Sequence, residues 1–204
     1  CHVKFKRSAV DMLKKLELSQ YDHLKLASYC RALGIEYMCT PFDVDSLKFL
    51  VEDVGIKRIK IASGQHDNAP LRIAAIESGL PLIISLGMRP KGYLLPLEYH
   101  GLRQRLDVTF LHCTSAYPCP DEDVFLKIMR RMRKANWKFG FSDHSVGTVA
   151  AIGAVALGAC VIEKHLTLDR TMAGPDHKAS IEPAEFKEMV TAIEPAVAAA
   201  VAPA

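Results

Sequence analysis

The sequence predicts an α/β fold: a TIM (β/α) barrel, incomplete at about six of its eight β/α units. Two observations carry this. Short apolar runs alternate with amphipathic segments along the chain, and almost every run ends in polar residues. The first observation gives a parallel sheet with helical crossovers. The second favours a barrel over an open sheet, because barrel sites are built from the ends of several strands.

The runs are IEYMCT (35–40), RIKIASG (58–64), PLIISLG (81–87), VTFLHCTS (108–115), KFGFSDHS (138–145) and CVIEKHL (160–166). Each is strand-sized and rich in β-branched or aromatic residues. Between them lie DSLKFLVEDVG (45–55), APLRIAAIESG (69–79), DEDVFLKIMRRMRKA (121–135) and VGTVAAIGAVALGA (146–159), which read as helices. Gly34, Gly55, Gly79 and Gly158 stand where those helices should stop. The leading stretch SAVDMLKKLELSQYDHLKLASYCRALG falls where the second helix of a barrel would lie. A full barrel takes about 250 residues, and this chain has 204. An open doubly wound sheet fits the alternation too, but it concentrates its ligand site at one switch point. No GxGxxG or Walker pattern follows any run, which argues against nucleotide and dinucleotide binding.

Bulk composition narrows the function. Half of the residues are hydrophobic, enough for one sizeable core. The net charge is +3 with both signs spread along the chain, so nucleic acid is not an expected partner. The basic run RRMRK (130–134) reads as a solvated helix face. No apolar run approaches the roughly 20 residues that span a bilayer, so no membrane partner is expected. Cysteines stand at 1, 30, 39, 113, 119 and 160 without a CxxC pair. They read as reduced thiols of a cytoplasmic protein. CHVKFKRSAV has no apolar core of a signal peptide, and the absence of a starting Met suggests a fragment.

The run ends carry the chemistry: Thr40, Ser63, Ser85, Thr114-Ser115, Ser142-Asp143-His144 and Glu163-His165. Strand alternation puts Ser142 and His144 on one face, and Glu163 and His165 on one face with Lys164 opposite. Adjacent strands lie about 5 Å apart. The imidazoles of His144 and His165 could therefore hold one divalent metal, completed by oxygen ligands and water. Asp143, Glu163 or Asp176 could orient an imidazole or join that shell. Lys60 with Ser63, Ser85, Thr40, Ser115 and Ser142 makes a ring of hydroxyls around a cation, which suits a phosphate. Tyr117, after the run ending at Ser115, would project over the site. DHKASIEPAEF (176–186) reads as a loop entering a capped helix, marked by Ser180, Pro183 and Glu185.

Six motifs in order, KIASGQ, ISLGM, LHCTSAYPCPDEDV, GFSDHSVG, VALGA with IEKHLTLD, and GPDHKASIEP, resemble the sialic acid synthase family. MLKKLELS and TPFD near the start belong to the same resemblance, which runs from about Asp11 to Pro195. The barrel is expected over residues 1–195, and the alanine-rich end, 196–204, reads as a low-complexity tail. The resemblance implies condensation of phosphoenolpyruvate with an open-chain N-acylated amino sugar such as N-acetylmannosamine or its 6-phosphate. The products would be a sialic-acid-type nonulosonate and phosphate. It implies Mn2+ or Mg2+ at His144 and His165, and phosphoenolpyruvate contacts at Thr40, Lys60, Ser63, Ser85, Ser115 and Ser142. Tyr117, Glu163 and Asp176 match positions on the sugar or metal side, and a homodimer is the expected assembly.

The chain also departs from the family pattern. The first-strand signature Glu-Ile-Gly-x-Asn-His-x-Gly is not in it, although VKF at 3–5 echoes that strand. Most of the second-strand region, with a phosphate-binding lysine, and the C-terminal antifreeze-like domain do not appear either. Gln65 stands where bacterial members carry a glutamate, and an amide cannot act as an acid. Two other readings follow: a non-catalytic homologue that keeps a metal-and-phosphate pocket, or a synthase for a related legionaminic- or pseudaminic-type acid.

Overall fold

Five of the six apolar runs become strands of one parallel sheet. A computed structural model describes residues 7–88 and 107–201. Cys1, the VKF echo at 3–5 and residues 202–204 lie outside the described residues. The strands are β1 (Ile59–Ile61), β2 (Leu82–Ser85), β3 (Val108–His112), β4 (Phe139–Asp143) and β5 (Ile162–Lys164), hydrogen-bonded in the order β1-β2-β3-β4-β5. That order never reverses, whereas a doubly wound sheet starts in its middle and reverses at a switch point. The ends of the sheet also come together: Lys60 Nζ on β1 lies 3.1 Å from Glu163 Oε2 on β5. Four flat inter-strand steps of about 4.8 Å would hold those backbones about 19 Å apart, beyond the reach of the two side chains. The sheet is therefore curled into an incomplete barrel wall.

The register separates two faces. Across the register, Ile59, Leu82 and Val108 form one row, Ile61, Ile84, Phe110 and Phe139 a second, and Phe141 and Ile162 a third. These residues face outward. They pack on Leu71 and Ala75 of α4 (Ala69–Glu77), on Ile128, Met129 and Met132 of α5 (Lys127–Lys134), and on Ala154 of α6 (Val149–Ala156). The register rows Lys60–Ile83–Thr109, Ser85–Leu111–Gly140 and Ser142–Glu163 face the barrel interior. Gly140 is required there. A Cβ would lie 2.4 Å from the Val161 carbonyl oxygen and 2.6 Å from Leu111 Cδ2.

The sixth run, 35–40, was expected to be a strand and is not one: Ile35 to Thr40 make no ladder bonds among the described residues. Side chains fasten this segment instead. Arg58 Nε donates to Glu36 Oε1 at 2.7 Å, and His23 Nδ1 meets the Tyr37 hydroxyl at 2.6 Å. The leading helix divides into α1 (Arg7–Leu16) and α2 (Gln20–Ala32). Ser19 breaks it by forming a capping box with Asp22. α3 (Val44–Phe49) runs into a wider π-type turn that ends at Gly55, φ 74°. Gly34, Gly79 and Gly158 also have positive φ, as helix ends require. Arg130, Arg131, Arg133 and Lys134 of α5 are exposed, so the basic run is a solvated face. α7 (Pro183–Val201) starts where Glu182 N–H donates to Glu185 and continues through Pro195 into the alanine-rich tail.

Candidate active site

The interior residues meet at the carboxyl ends of the strands. Ser142 lies next to the end of β4 and Glu163 lies in β5, directly paired in register. The Ser142 hydroxyl donates to Glu163 Oε1 at 2.6 Å, while Lys60 holds Oε2 at 3.1 Å. Both oxygens of one carboxylate are thus engaged, one by a hydroxyl and one by an ammonium whose side chain is 11% exposed.

The two imidazoles flank this group. His144 and His165 have ring centroids 5.5 Å apart and perpendicular planes. Tyr117 lies against both, at 4.1 Å from His144 and 5.4 Å from His165. His144 Nδ1 is 2.7 Å from the Thr114 carbonyl. A carbonyl only accepts, so Nδ1 carries the proton and Nε2 presents a lone pair. Nε2 is 3.3 Å from Ser142 Oγ, whose proton goes to Glu163. Burial pushes the His144 imidazole below the ordinary value of 6.5, His165 adds to the shift, and the Thr114 bond opposes it. The ring is therefore neutral and competent as a ligand. Asp176 Oδ2 stands 3.8 Å from His165 Nδ1, close by but beyond hydrogen-bond distance. Among the described residues no group of three or more His, Cys, Asp or Glu encloses a cation site. The donor set fits an ion held by two imidazoles with water or substrate oxygens on its remaining positions.

A second cluster forms at the ends of β1 to β3. Gly87 N–H donates to Ser63 Oγ at 3.0 Å, and Ser63 Oγ lies 3.3 Å from Cys113 Sγ. A Cβ on Gly87 would fall 2.6 Å from Ser115 Oγ, 2.7 Å from Ser63 Oγ and 2.8 Å from Cys113 Sγ. The backbone at Gly87 thus leaves a small polar cradle open. Burial raises the Cys113 thiol, so it is a protonated wall of this cradle. Ser85 Oγ, buried on the same interior face, has no hydrogen-bond partner among the described residues. Such an orphan hydroxyl is what a ligand-binding cavity leaves behind.

Two further expected residues have other recorded neighbours. Thr40 lines a cleft with Glu17, His23 and Phe49 beside α2 and α3. Gln65 Oε1 accepts at 2.8 Å from Nδ2 of Asn68, the N-cap residue of α4. Asp143 corrects one expectation: it bonds to neither imidazole and does not face the site. Strand alternation turns it outward, where Lys164 and Ser145 bind it. Cys113 and the Thr114 carbonyl were not foreseen as parts of the site. Their position at a run end was the available signal, but only the fold brings them to Ser63 and His144.

A sequence profile of the NeuB family matches residues 2–202. The chain is 42% identical over 192 residues to N,N'-diacetyllegionaminic acid synthase of Legionella pneumophila, covering 91% of this chain and 54% of the relative. It is 36% identical over 182 residues to N-acetylneuraminate-9-phosphate synthase of Drosophila melanogaster, covering 87% of this chain and 48% of that one. It thus spans about half the length of the curated relatives it matches. Among solved structures, an N-acetylneuraminic acid synthetase from Leptospira borgpetersenii in complex with citrate superposes with a TM-score of 0.88 at 32% identity, covering 99% of this chain and 71% of that one.

Proposed function

This chain belongs to the NeuB family, and we propose that it forms the catalytic barrel of a synthase joining phosphoenolpyruvate to an N-acylated amino sugar. The observation that carries this is the Lys60–Glu163–Ser142 group set beside His144 and His165. It combines a cation for an anionic substrate, a held carboxylate and two ligand-competent imidazoles. The Gly87 cradle, with Ser63 and Ser115, supplies the close backbone approach and hydroxyls that a phosphate needs.

His144 and His165 would hold Mn2+ or Mg2+, which supplies Lewis-acid polarisation of the sugar aldehyde. The methylene carbon of phosphoenolpyruvate bonds to the aldehyde carbon, whose oxygen takes up a proton. Positive character then develops on the phosphate-bearing carbon. Water adds there and gives up a proton, and the tetrahedral intermediate expels inorganic phosphate to leave a ketone. Glu163, held by Lys60 and Ser142, stabilises the cationic carbon and receives the water's proton. Asp176 adds negative charge beside His165, and Tyr117 lies against both imidazoles as a substrate contact. The free cysteines among the described residues, Cys30, Cys39, Cys113, Cys119 and Cys160, suit a reducing cytoplasm.

A second acceptor class is favoured by the name of the relative at 42% identity: a sugar with two N-acetyl groups. Incubating the chain with phosphoenolpyruvate, Mn2+ and either N-acetylmannosamine, its 6-phosphate or a diacetamido hexose, then weighing products by mass spectrometry, tests both. One acceptor should gain the three carbons of pyruvate. No product with any acceptor leaves the chain a non-catalytic homologue. Calorimetry should show Mn2+ binding lost in His144→Ala and in His165→Ala; unchanged affinity in both refutes the two-imidazole site.

A further inference from the structure

We propose that the buried Asp143–Lys164 ion pair is a positioning device that fixes where His144 and His165 stand. The two residues are directly opposed in the β4–β5 register and face away from the site. Lys164 Nζ donates to Asp143 Oδ2 at 2.9 Å and to the Ser145 carbonyl at 2.6 Å. Asp143 Oδ1 accepts from Ser145 N–H at 2.9 Å and from Ser145 Oγ at 2.6 Å. The side chains are 1% and 0% exposed.

Strand alternation makes this pair the back of the site. Asp143 lies between Ser142 and His144, and Lys164 lies between Glu163 and His165. His144 has the clamp on both sides in sequence, at Asp143 and Ser145. Its carbonyl is also pinned from β3's loop, by Cys119 N–H at 2.8 Å. A shift of either strand end would break directional bonds behind the pocket. Stability alone does not explain the pair, because an apolar pair of similar size is often as stabilising as two buried charges. Directional bonds to Ser145 do explain it: they hold the segment on which the His144 Nδ1–Thr114 bond depends.

The inference concerns the residues of the proposed metal site, but its deciding readout uses no metal. The double variant Asp143→Asn/Lys164→Met removes the ion pair and both Lys164 bonds, keeps an acceptor for Ser145 and avoids a lone buried charge. Long-range 1H–15N spectra of the metal-free chain report each imidazole tautomer. The parent should show His144 as one Nδ1-protonated tautomer. The double variant should melt within a few degrees of the parent, show a tautomer mixture at His144, and bind Mn2+ about ten- to hundred-fold more weakly. Lys164→Arg, which keeps charge and donors, should recover most of the parent's spectrum. Parent-like His144 nitrogen shifts in the folded double variant overturn the proposal, whatever its Mn2+ affinity. So does a double variant that no longer unfolds cooperatively, since the pair is then a stability element. If the parent binds no Mn2+, the metal reading fails, and the nitrogen shifts still decide positioning.

Discussion

Lys60 and Glu163 belong to the first and last strands of the sheet, β1 and β5, and meet at 3.1 Å. One contact therefore reports both the curl of the sheet and the focus of the site. A second anion arriving at this point shares the Lys60 ammonium with Glu163. Lys60→Met should raise KM for phosphoenolpyruvate and lower kcat, with a combined loss of about a hundred-fold or more. Steady-state kinetics check it; a changed kcat with unchanged KM would place Lys60 away from the anionic substrate.

Gly87 predicts a separable effect. Gly87→Ala puts a methyl among Ser115, Ser63 and Cys113. The expected outcome is a rise in KM for phosphoenolpyruvate of roughly ten- to hundred-fold, with Mn2+ affinity retained. Parallel kinetics and Mn2+ titration read both quantities.

Gln65→Glu tests whether an acid is wanted at this position. The new carboxylate can still accept from Asn68, the N-cap residue of α4. The variant should fold as well as the parent and turn over faster. An unchanged rate means that this position does not limit the reaction.

Stability should fall as pH falls from 7.5 to 5.5. Burial lowers the imidazoles of His112 and His144 from the ordinary 6.5 in the folded chain. Below that value the unfolded chain binds protons that the folded chain refuses. The contribution is therefore intact above 6.5 and is lost as pH drops toward the folded values. Denaturant titrations across this range check the slope, and His112→Gln should flatten it. His112 is the cleaner probe, because it stacks on Phe141 and binds the Val124 carbonyl on the outer face, away from the site.

Periodicity made the sheet legible, because Ile, Val and Phe at alternate positions need a buried face wherever they stand. It also placed His144 with Ser142, and His165 with Glu163, since a strand fixes what shares a side. It failed at 35–40, where an apolar run without ladder partners is tied by Glu36 and Tyr37 instead. It could not show that Lys60 reaches Glu163 or that Thr114 sets the His144 tautomer. Both depend on how far the sheet curls, which no local pattern encodes. Asp143 shows the limit most clearly: its nearness to His144 in sequence suggested a shared task, and one step of alternation sent it to the opposite face.

The central claim, that Glu163 works at the carbon that loses phosphate, is tested by phosphate release from the parent and from Glu163→Gln. Both are assayed with phosphoenolpyruvate, Mn2+ and the acceptor identified by mass. The account predicts release by the parent only when all three are present, and a loss of about a hundred-fold or more in Glu163→Gln. Release that needs no acceptor, or equal rates in the two proteins, would contradict it.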